Sequence, residues 1–375
     1  MISSKIIIWG TYDLGKPRNR IIISTLKSLP NIDVREIHSA MWDDVKDKSS
    51  LSLGSLSYIA IKKLFLYPLL LNRYLIAKEH THVLVLYPGL FDLLLIWPLA
   101  KLRGKKIIFD MFIPIYETVI EDRKILLKDN LISHLILYFE KYLCKLPDTI
   151  VLDCKTHAKY IGEQLDISSD KLANAFVGAE DIFAHHPEEK STANKYFKDD
   201  HSLKVLFYGQ MIPLHNITLI LETVQIVQNQ GVEFLIVGSG QEQNLIEEWL
   251  RTNSYTNLSY RPWTAYETLP EIIKQSHICL GIFGESSKAT NVIPNKVFQC
   301  LLGQKVVITR DSLAIREIED YAEGQLVILK NNSAKSLAVE ILKIKENQKI
   351  LETKNTCYLQ FKQKIELQWE KIVSF

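Results

Sequence analysis

The sequence contains no Cys-x-x-Cys pair and no Asp-x-Asp. Its five cysteines (Cys144, Cys154, Cys279, Cys300 and Cys357) are scattered without metal-ligand spacing. That excludes a zinc framework and suits core thiols in a reducing compartment. Net charge is weak, at +2 over 375 residues, so the overall field makes no case for nucleic acid. No apolar run approaches the roughly 20 residues of a membrane span. The longest, Leu64 to Leu71 and Leu93 to Ala100, are far shorter, so no transmembrane helix is expected and any membrane contact is superficial. The opening MISSKIIIWG is too short in its apolar part for a signal peptide and reads as a first strand. Internal repeats and low-complexity tracts are also missing. These absences point to a cytoplasmic globular protein that needs no metal.

The length exceeds one ordinary core, so two domains are expected. In the first half, short Ile/Val-rich runs read as buried parallel strands: Ile6–Trp9, Val34–His38, Val83–Tyr87, Lys106–Asp110 and Ile150–Asp153. Helical patterns separate them at Arg20–Leu29, Ser57–Ala77, Phe91–Leu102 (with Pro98 expected to kink it) and Ile132–Leu146. The polar stretch Phe183–Ser202 interrupts this alternation. Strands then resume at Lys204–Gly209, Phe234–Gly238, Ile278–Phe283, Lys305–Thr309 and Gln325–Leu329, with a helical tail from Lys335. The βαβα order predicts two Rossmann-like, doubly wound α/β domains. Their expected bounds are 1–185 and 203–357, joined by a linker at 186–202, and a last helix at about 358–375 is expected to pack back on the first domain. Open α/β sheets bind ligands beyond the carboxyl ends of their strands, which places the expected site in a cleft between the domains.

The most informative stretch is IFGESSKATNVIPNKVFQCLLG, Ile282 to Gly303. It reads as a buried strand, a polar loop, and a helix opening at Pro294. The first turn of such a helix has unpaired N–H groups and the positive end of the dipole, so it favours an anion. Lys288 and Lys296 add charge at the two ends of the loop. A lysine at a helix start opposes the dipole, which favours a ligand role for Lys296, whereas Lys288 could equally be solvated.

The longer string GIFGESSKATNVIPNKVFQCLLGQKVVIT resembles the glycosyltransferase family 4 pattern. There such a loop leads through Pro-Asn-Lys and a Glu-bearing helix to a Gly and a Val-Ile strand. LFYGQMIPLHNITLILETV and FLIVGSGQE resemble the first two βα units of that family's nucleotide-binding domain. GTYDLGKPRNR, IIFDMFIPIYETVIEDRK and VLDCKTHAKY resemble a bacterial branch of it. The resemblance implies a GT-B fold and a hexosyltransferase-type enzyme. It would move a sugar, with retention, from a nucleotide-diphosphate sugar to a glycan or lipid-linked acceptor in surface polysaccharide synthesis (lipopolysaccharide or capsule). No metal or other cofactor is implied, the donor being a substrate. The implied place is cytoplasmic, with peripheral contact at the inner face of the plasma membrane. The apolar, basic-flanked segment Ile61–Lys78 reads either as a core helix or as that contact.

The resemblance assigns the donor side to Gly209, Gln210, His215, Gly238, Gly240, Trp263, Asn291, Val292, Ile293, Pro294, Asn295 and Gln299, with Lys288 and Lys296 at the diphosphate. Four positions depart from the family. Its acidic pair is replaced by Asn291 and Gln299, and its Arg and Lys after the domain's first strand by Gln210 and His215. Gln299 could hold a ribose hydroxyl as a neutral amide. His215 reads as a phosphate contact or as a turn residue. Gly238 and Gly240 read first as turn glycines, and Trp263 as a base-pocket wall or a half-buried aromatic. The acceptor side falls to Gly10, Thr11, Tyr12, Asp13, Arg18, Arg20 and Tyr116. Asp110 lies near the sugar by resemblance, or else caps a turn. Arg18 and Arg20 suit a phosphate-bearing acceptor or surface ion pairs. Two other readings stand beside transfer: a nucleotide-sugar epimerase or hydrolase, and a non-catalytic nucleotide-sugar-binding partner.

Overall fold

A computed structural model describes residues 4–41, 53–184, 195–197, 201–252, 255–322, 324–352 and 357–374. The chain divides into two compact units, Met1–Val177 with Gln363–Phe375, and Gly178–Lys362. The division falls ahead of the expected linker. Of that linker, residues 186–194 and 198–200 lie outside the described residues.

The first unit holds β1 (Ser4–Gly10), β2 (Ile32–His38), β3 (His82–Val85), β4 (Lys106–Asp110), β5 (Thr149–Leu152) and β6 (Leu172–Asn174). All pair in parallel, in the order β2-β1-β3-β4-β5-β6. Pro17 opens the helix Pro17–Ser28 at its first position, where the missing N–H costs nothing. Pro98 is accommodated inside Leu90–Leu102. The core beneath the sheet gathers Trp9, Leu70, Tyr74, Val83, Ile96, Ile107, Phe109 and Ile150. Segment Ile61–Lys78 falls largely within the helix Leu53–Leu75. It buries Leu70, Tyr74 and Ala77 in this core and leaves Phe65, Leu69, Leu75 and Ile76 exposed. The end of the chain returns to this unit: Gln368 accepts from Phe176 N, and Ser4 Oγ donates to Val373 O.

The second unit holds β7 (Leu203–Tyr208), β8 (Val232–Val237), β9 (Leu258–Arg261), β10 (Ile278–Leu280), β11 (Val306–Arg310) and β12 (Leu326–Leu329). They form a second parallel sheet in the order β12-β11-β10-β7-β8-β9. Read from β9, this is the doubly wound order of dinucleotide-binding sheets, and its strand order reverses between β7 and β10. Both β7 and β8 are buried along their whole length, as expected of strands covered on both faces. Strands β6 and β9 were not legible in the sequence. Each is short and only partly buried, so neither shows a continuous apolar run.

Candidate functional site

In the second unit the loops after β7, β8 and β10 come together at the carboxyl edge where the strand order reverses. Glycines make this possible. A Cβ on Gly238, which has φ +134°, would lie 1.9 Å from the Gly209 carbonyl oxygen. A Cβ on Gly240 would lie 2.8 Å from Met211 N, and one on Gly284 2.5 Å from the Pro213 and Leu214 carbonyls. Thus Gly238 and Gly240 are more than turn residues, because they let one loop backbone lie against another. Arg310, at the end of β11, donates to the Gly284 carbonyl and ties the β10 loop down. This arginine was not legible as a site residue in the sequence.

Over this junction stands Lys296, the second residue of the helix Asn295–Leu302, whose N-terminus has no side-chain cap. The lysine is only 7% exposed. Its Nζ lies 3.9 Å from the Phe207 ring centroid and 5.9 Å from that of Tyr208. A Cβ on Gly209 would come within 3.0 Å of that Nζ and 3.2 Å of His215 Cε1. Nζ makes no hydrogen bond. Burial pulls its pKa down from 10.5 to about 7, with the Cys300 and Cys279 thiols opposing. A buried ammonium with its donors unmet is costly. An anionic ligand would supply the missing acceptors.

His215 is 6% exposed and sits edge-on to Phe207, their centroids 5.3 Å apart. Its Nδ1 meets the Gln210 carbonyl, so Nδ1 carries the proton. Burial and the neighbouring Lys296 hold its pKa well below the ordinary value. The neutral ring can therefore only accept at Nε2. In that state Nε2 offers a lone pair rather than a proton. Gln299 is likewise engaged. Its Oε1 accepts from Tyr208 Oη at 2.8 Å, and its Nε2 donates to Tyr266 Oη at 3.0 Å. Tyr266 in turn donates to Glu180 at 2.5 Å. The amide is a rigid strut between two tyrosines, with one lone pair and one N–H left over.

The polar loop expected around Lys288 contains a one-turn helix, Ser287–Asn291, capped by Ser286. Lys288 is 9% exposed there. Asn291 Nδ2 donates back to Ser287 O at 2.9 Å, closing that turn, and Val292 and Ile293 are buried. Pro294 stands at the cap of the next helix, followed by Asn295. Trp263 is 76% exposed, so the half-buried reading of it does not hold.

In the first unit the strand order reverses between β1 and β3, and the residues after β1 lie there. Gly10 has φ +129°, and a Cβ on it would meet Asp92 Oδ2 at 2.3 Å. Thr11 N donates to that carboxylate at 2.7 Å, and Tyr67 Oη donates to its other oxygen at 2.7 Å. Asp92 was not legible in the sequence. Tyr12 is buried, stacks on His38 with centroids 4.0 Å apart, and donates to Glu36 at 2.6 Å. Asp13 accepts from Gly15 N at 2.8 Å, turning the chain toward the next helix. Arg20 donates to Leu14 O at 2.5 Å. Tyr116 gives its backbone N–H to Glu140 at 2.9 Å.

Arg18 and Asp110 differ most from expectation. Their side chains are 1% and 0% exposed and paired at 2.6 Å. Arg18 also donates to Ala175 O at 3.0 Å and Leu152 O at 3.3 Å. Neither a surface ion pair nor a solvent-facing phosphate clamp, this arginine saturates a buried carboxylate and two strand ends. Beside them a second buried set, Asp153, His157 and Glu117, went unassigned in the sequence. His157 Nδ1 meets Asp153, and its Nε2 lies 3.3 Å from Glu117. Burial alone would lower the His157 pKa, but the two carboxylates outweigh it and raise the value to about 9.

Residues 202–347, all within the second unit, match the family model described as glycosyl transferases group 1. No curated protein matches the chain. Among solved structures, HepE of Anabaena in complex with UDP-glucose is 12% identical with a TM-score of 0.64, over 99% of this chain and 100% of that one. Sucrose-phosphate synthase from Thermosynechococcus elongatus is 12% identical with a TM-score of 0.65, over 99% and 96%. The pneumococcal O-GlcNAc transferase GtfA, in complex with UDP and GlcNAc, is 12% identical with a TM-score of 0.53, over 78% and 56%. At such identities the likeness shows the fold, which is GT-B.

Proposed function

We infer that the chain is a glycosyltransferase whose second unit binds the diphosphate of a nucleotide-diphosphate sugar at Lys296. The observation that carries this reading is the buried Lys296 Nζ, without a hydrogen bond, above the glycine junction where the strand order reverses. A diphosphate oxygen at Nζ satisfies the amine and restores its charge. The first-turn N–H groups of Asn295–Leu302 add the positive end of a helix dipole. As the sugar leaves, negative charge grows on the diphosphate. A preorganised ammonium held away from water stabilises that charge without reorganising. Lys288 lies on the same loop and serves as a second cation. His215 Nε2, an acceptor, suits a sugar hydroxyl, and Gln299 has one acceptor and one donor site left for a ribose. HepE and GtfA, with UDP-glucose and UDP bound respectively, support the choice of ligand class.

The first unit takes the acceptor, a glycan or lipid-linked saccharide, near Gly10 to Asp13. Arg18 and Asp110 act there by holding strand ends in place. Transfer with retention of a hexose into a bacterial surface polysaccharide is the finer form of this reading. The decisive experiment incubates the protein with UDP, GDP, dTDP and CMP sugars, reading thermal shift first and transfer to a membrane or glycan extract second. One nucleotide sugar should stabilise the protein and be consumed only when acceptor is present. Free monosaccharide from donor alone would mean a hydrolase or epimerase. Tight binding without turnover would mean a non-catalytic binding protein.

A further inference from the structure

We propose that the first unit lies on an anionic lipid surface through the outer face of the stretch from Lys124 to Lys145. The helix within it, Leu131–Leu143, leaves a broad apolar side uncovered. A surface helix normally sends its apolar stripe inward. This one sends Leu137 and Leu143 to the core but also buries Ser133 and Glu140, both 0% exposed. Ser133 Oγ donates to Leu127 O at 2.7 Å, and Glu140 accepts the backbone N–H groups of Ile115 and Tyr116 at 2.6 and 2.9 Å. With part of the inward side given to polar anchoring, many of the apolar side chains face out. Ile125 (61%), Leu127 (79%), Leu131 (72%), Ile132 (53%), Leu135 (58%), Tyr138 (74%) and Tyr142 (51%) are each more than half exposed. The neighbouring helix Leu90–Leu102 extends the patch through Phe91, whose ring lies 6.4 Å from Phe139.

Soluble monomers rarely leave so many large apolar side chains together in water. The charges say what covers them. Lys124, Lys128, Lys141 and Lys145 lie along this stretch, against Asp129 and the inward Glu140. Lys128 approaches Glu121 only loosely, at 3.6 Å. Lysines and tyrosines set among exposed apolar side chains suit the boundary between headgroups and acyl chains. The helix is too short to cross a bilayer, at about 20 Å, and it suits lying in the interface plane. An anionic leaflet provides both the apolar layer and the negative charge. This extends the reading of a lipid-linked acceptor, but it concerns a different surface from the donor site and needs no sugar transfer to test.

The test is flotation of the full chain with vesicles of phosphatidylglycerol and phosphatidylcholine, and with vesicles of phosphatidylcholine alone. The wild type should float with the anionic vesicles, less so at high salt, and weakly with the neutral ones. The triple variant Leu131→Ser, Leu135→Ser, Tyr138→Ser should lose at least tenfold in partitioning. It should keep its melting temperature and its nucleotide-sugar thermal shift, which separates this proposal from the donor-site reading. A second variant, Lys124→Gln with Lys145→Gln, should lose the preference for anionic vesicles. A wild type that stays with neither vesicle type, or a triple variant that floats like wild type, overturns the proposal. So does a wild-type dimer that the triple substitution dissociates, because the face then belongs to a second copy of the chain.

Discussion

Replacing Lys296 by methionine keeps all but the last atom of the side chain's length and removes its charge. In the folded chain, burial holds this lysine near pKa 7 instead of 10.5. Between those values the unfolded chain carries a proton that the folded chain lacks, so stability rises with pH across that window and is lowest below it. The gap corresponds to about 5 kcal/mol against folding at and below neutral pH, as an upper bound. Methionine removes that cost but also loses a cation–π contact of about 1–2 kcal/mol with Phe207. The variant should therefore be more stable than wild type at neutral pH by roughly 2–4 kcal/mol, which is several degrees in melting temperature for a unit of this size. A nucleotide sugar at a hundredfold excess over Kd should raise the wild type by about 2.7 kcal/mol and leave the variant unmoved. The assay is thermal denaturation of both proteins with and without the nucleotide sugar that binds best. A variant that melts below wild type, or that shows the wild-type ligand shift, would refute the reasoning. The first result would mean the ammonium is already satisfied by the protein, and the second that the diphosphate lies elsewhere.

Other outcomes follow from the same geometry. Because a bound diphosphate raises the Lys296 pKa from about 7, calorimetric affinity should be flat below neutral pH and fall by up to tenfold per pH unit above it. A flat profile would mean the donor does not need the proton. Gly238→Ala forces a Cβ to 1.9 Å from a carbonyl oxygen at φ +134°; it should cost the second unit roughly 2–4 kcal/mol in urea denaturation, and a neutral result would mean the loops are not so closely packed. Asp110→Ala leaves Arg18 buried without its carboxylate and should cost about 3–5 kcal/mol in the same assay. A stable but transfer-dead variant would return Asp110 to a role at the sugar. His157 is raised to about 9 by Asp153 and Glu117. Its contribution is thus fully present below the unfolded value near 6.5 and lost as pH rises through about 9. His157→Gln should flatten stability across that window, measured by melting temperature against pH.

The doubly wound plan was legible because parallel strands covered on both faces leave continuous apolar runs, as β7 and β8 do. Strands β6 and β9 escaped because short, half-buried strands leave no such run. The loop from Ser286 to Pro294 was legible as a loop through a local rule, a polar stretch feeding a helix start. Its partners were not, because Phe207, Tyr208, Tyr266 and Glu180 reach Lys296 or Gln299 only through the fold. Arg18 shows the same limit. A helix-start arginine reads as exposed, and only the topology shows that β4 brings Asp110 to it. The helix Leu131–Leu143 carries apolar residues on more than one side, and the sequence does not tell which of them the fold leaves uncovered.

In the proposed function the amine of Lys296 receives the diphosphate of an activated sugar. A crystal structure of the protein soaked with the nucleotide sugar that best stabilises it tests this most directly. A phosphate oxygen should lie within hydrogen-bond distance of Lys296 Nζ, over Gly209 and facing the first turn of Asn295–Leu302. A nucleotide seen elsewhere on the second unit, with Lys296 Nζ still unbonded, would contradict it.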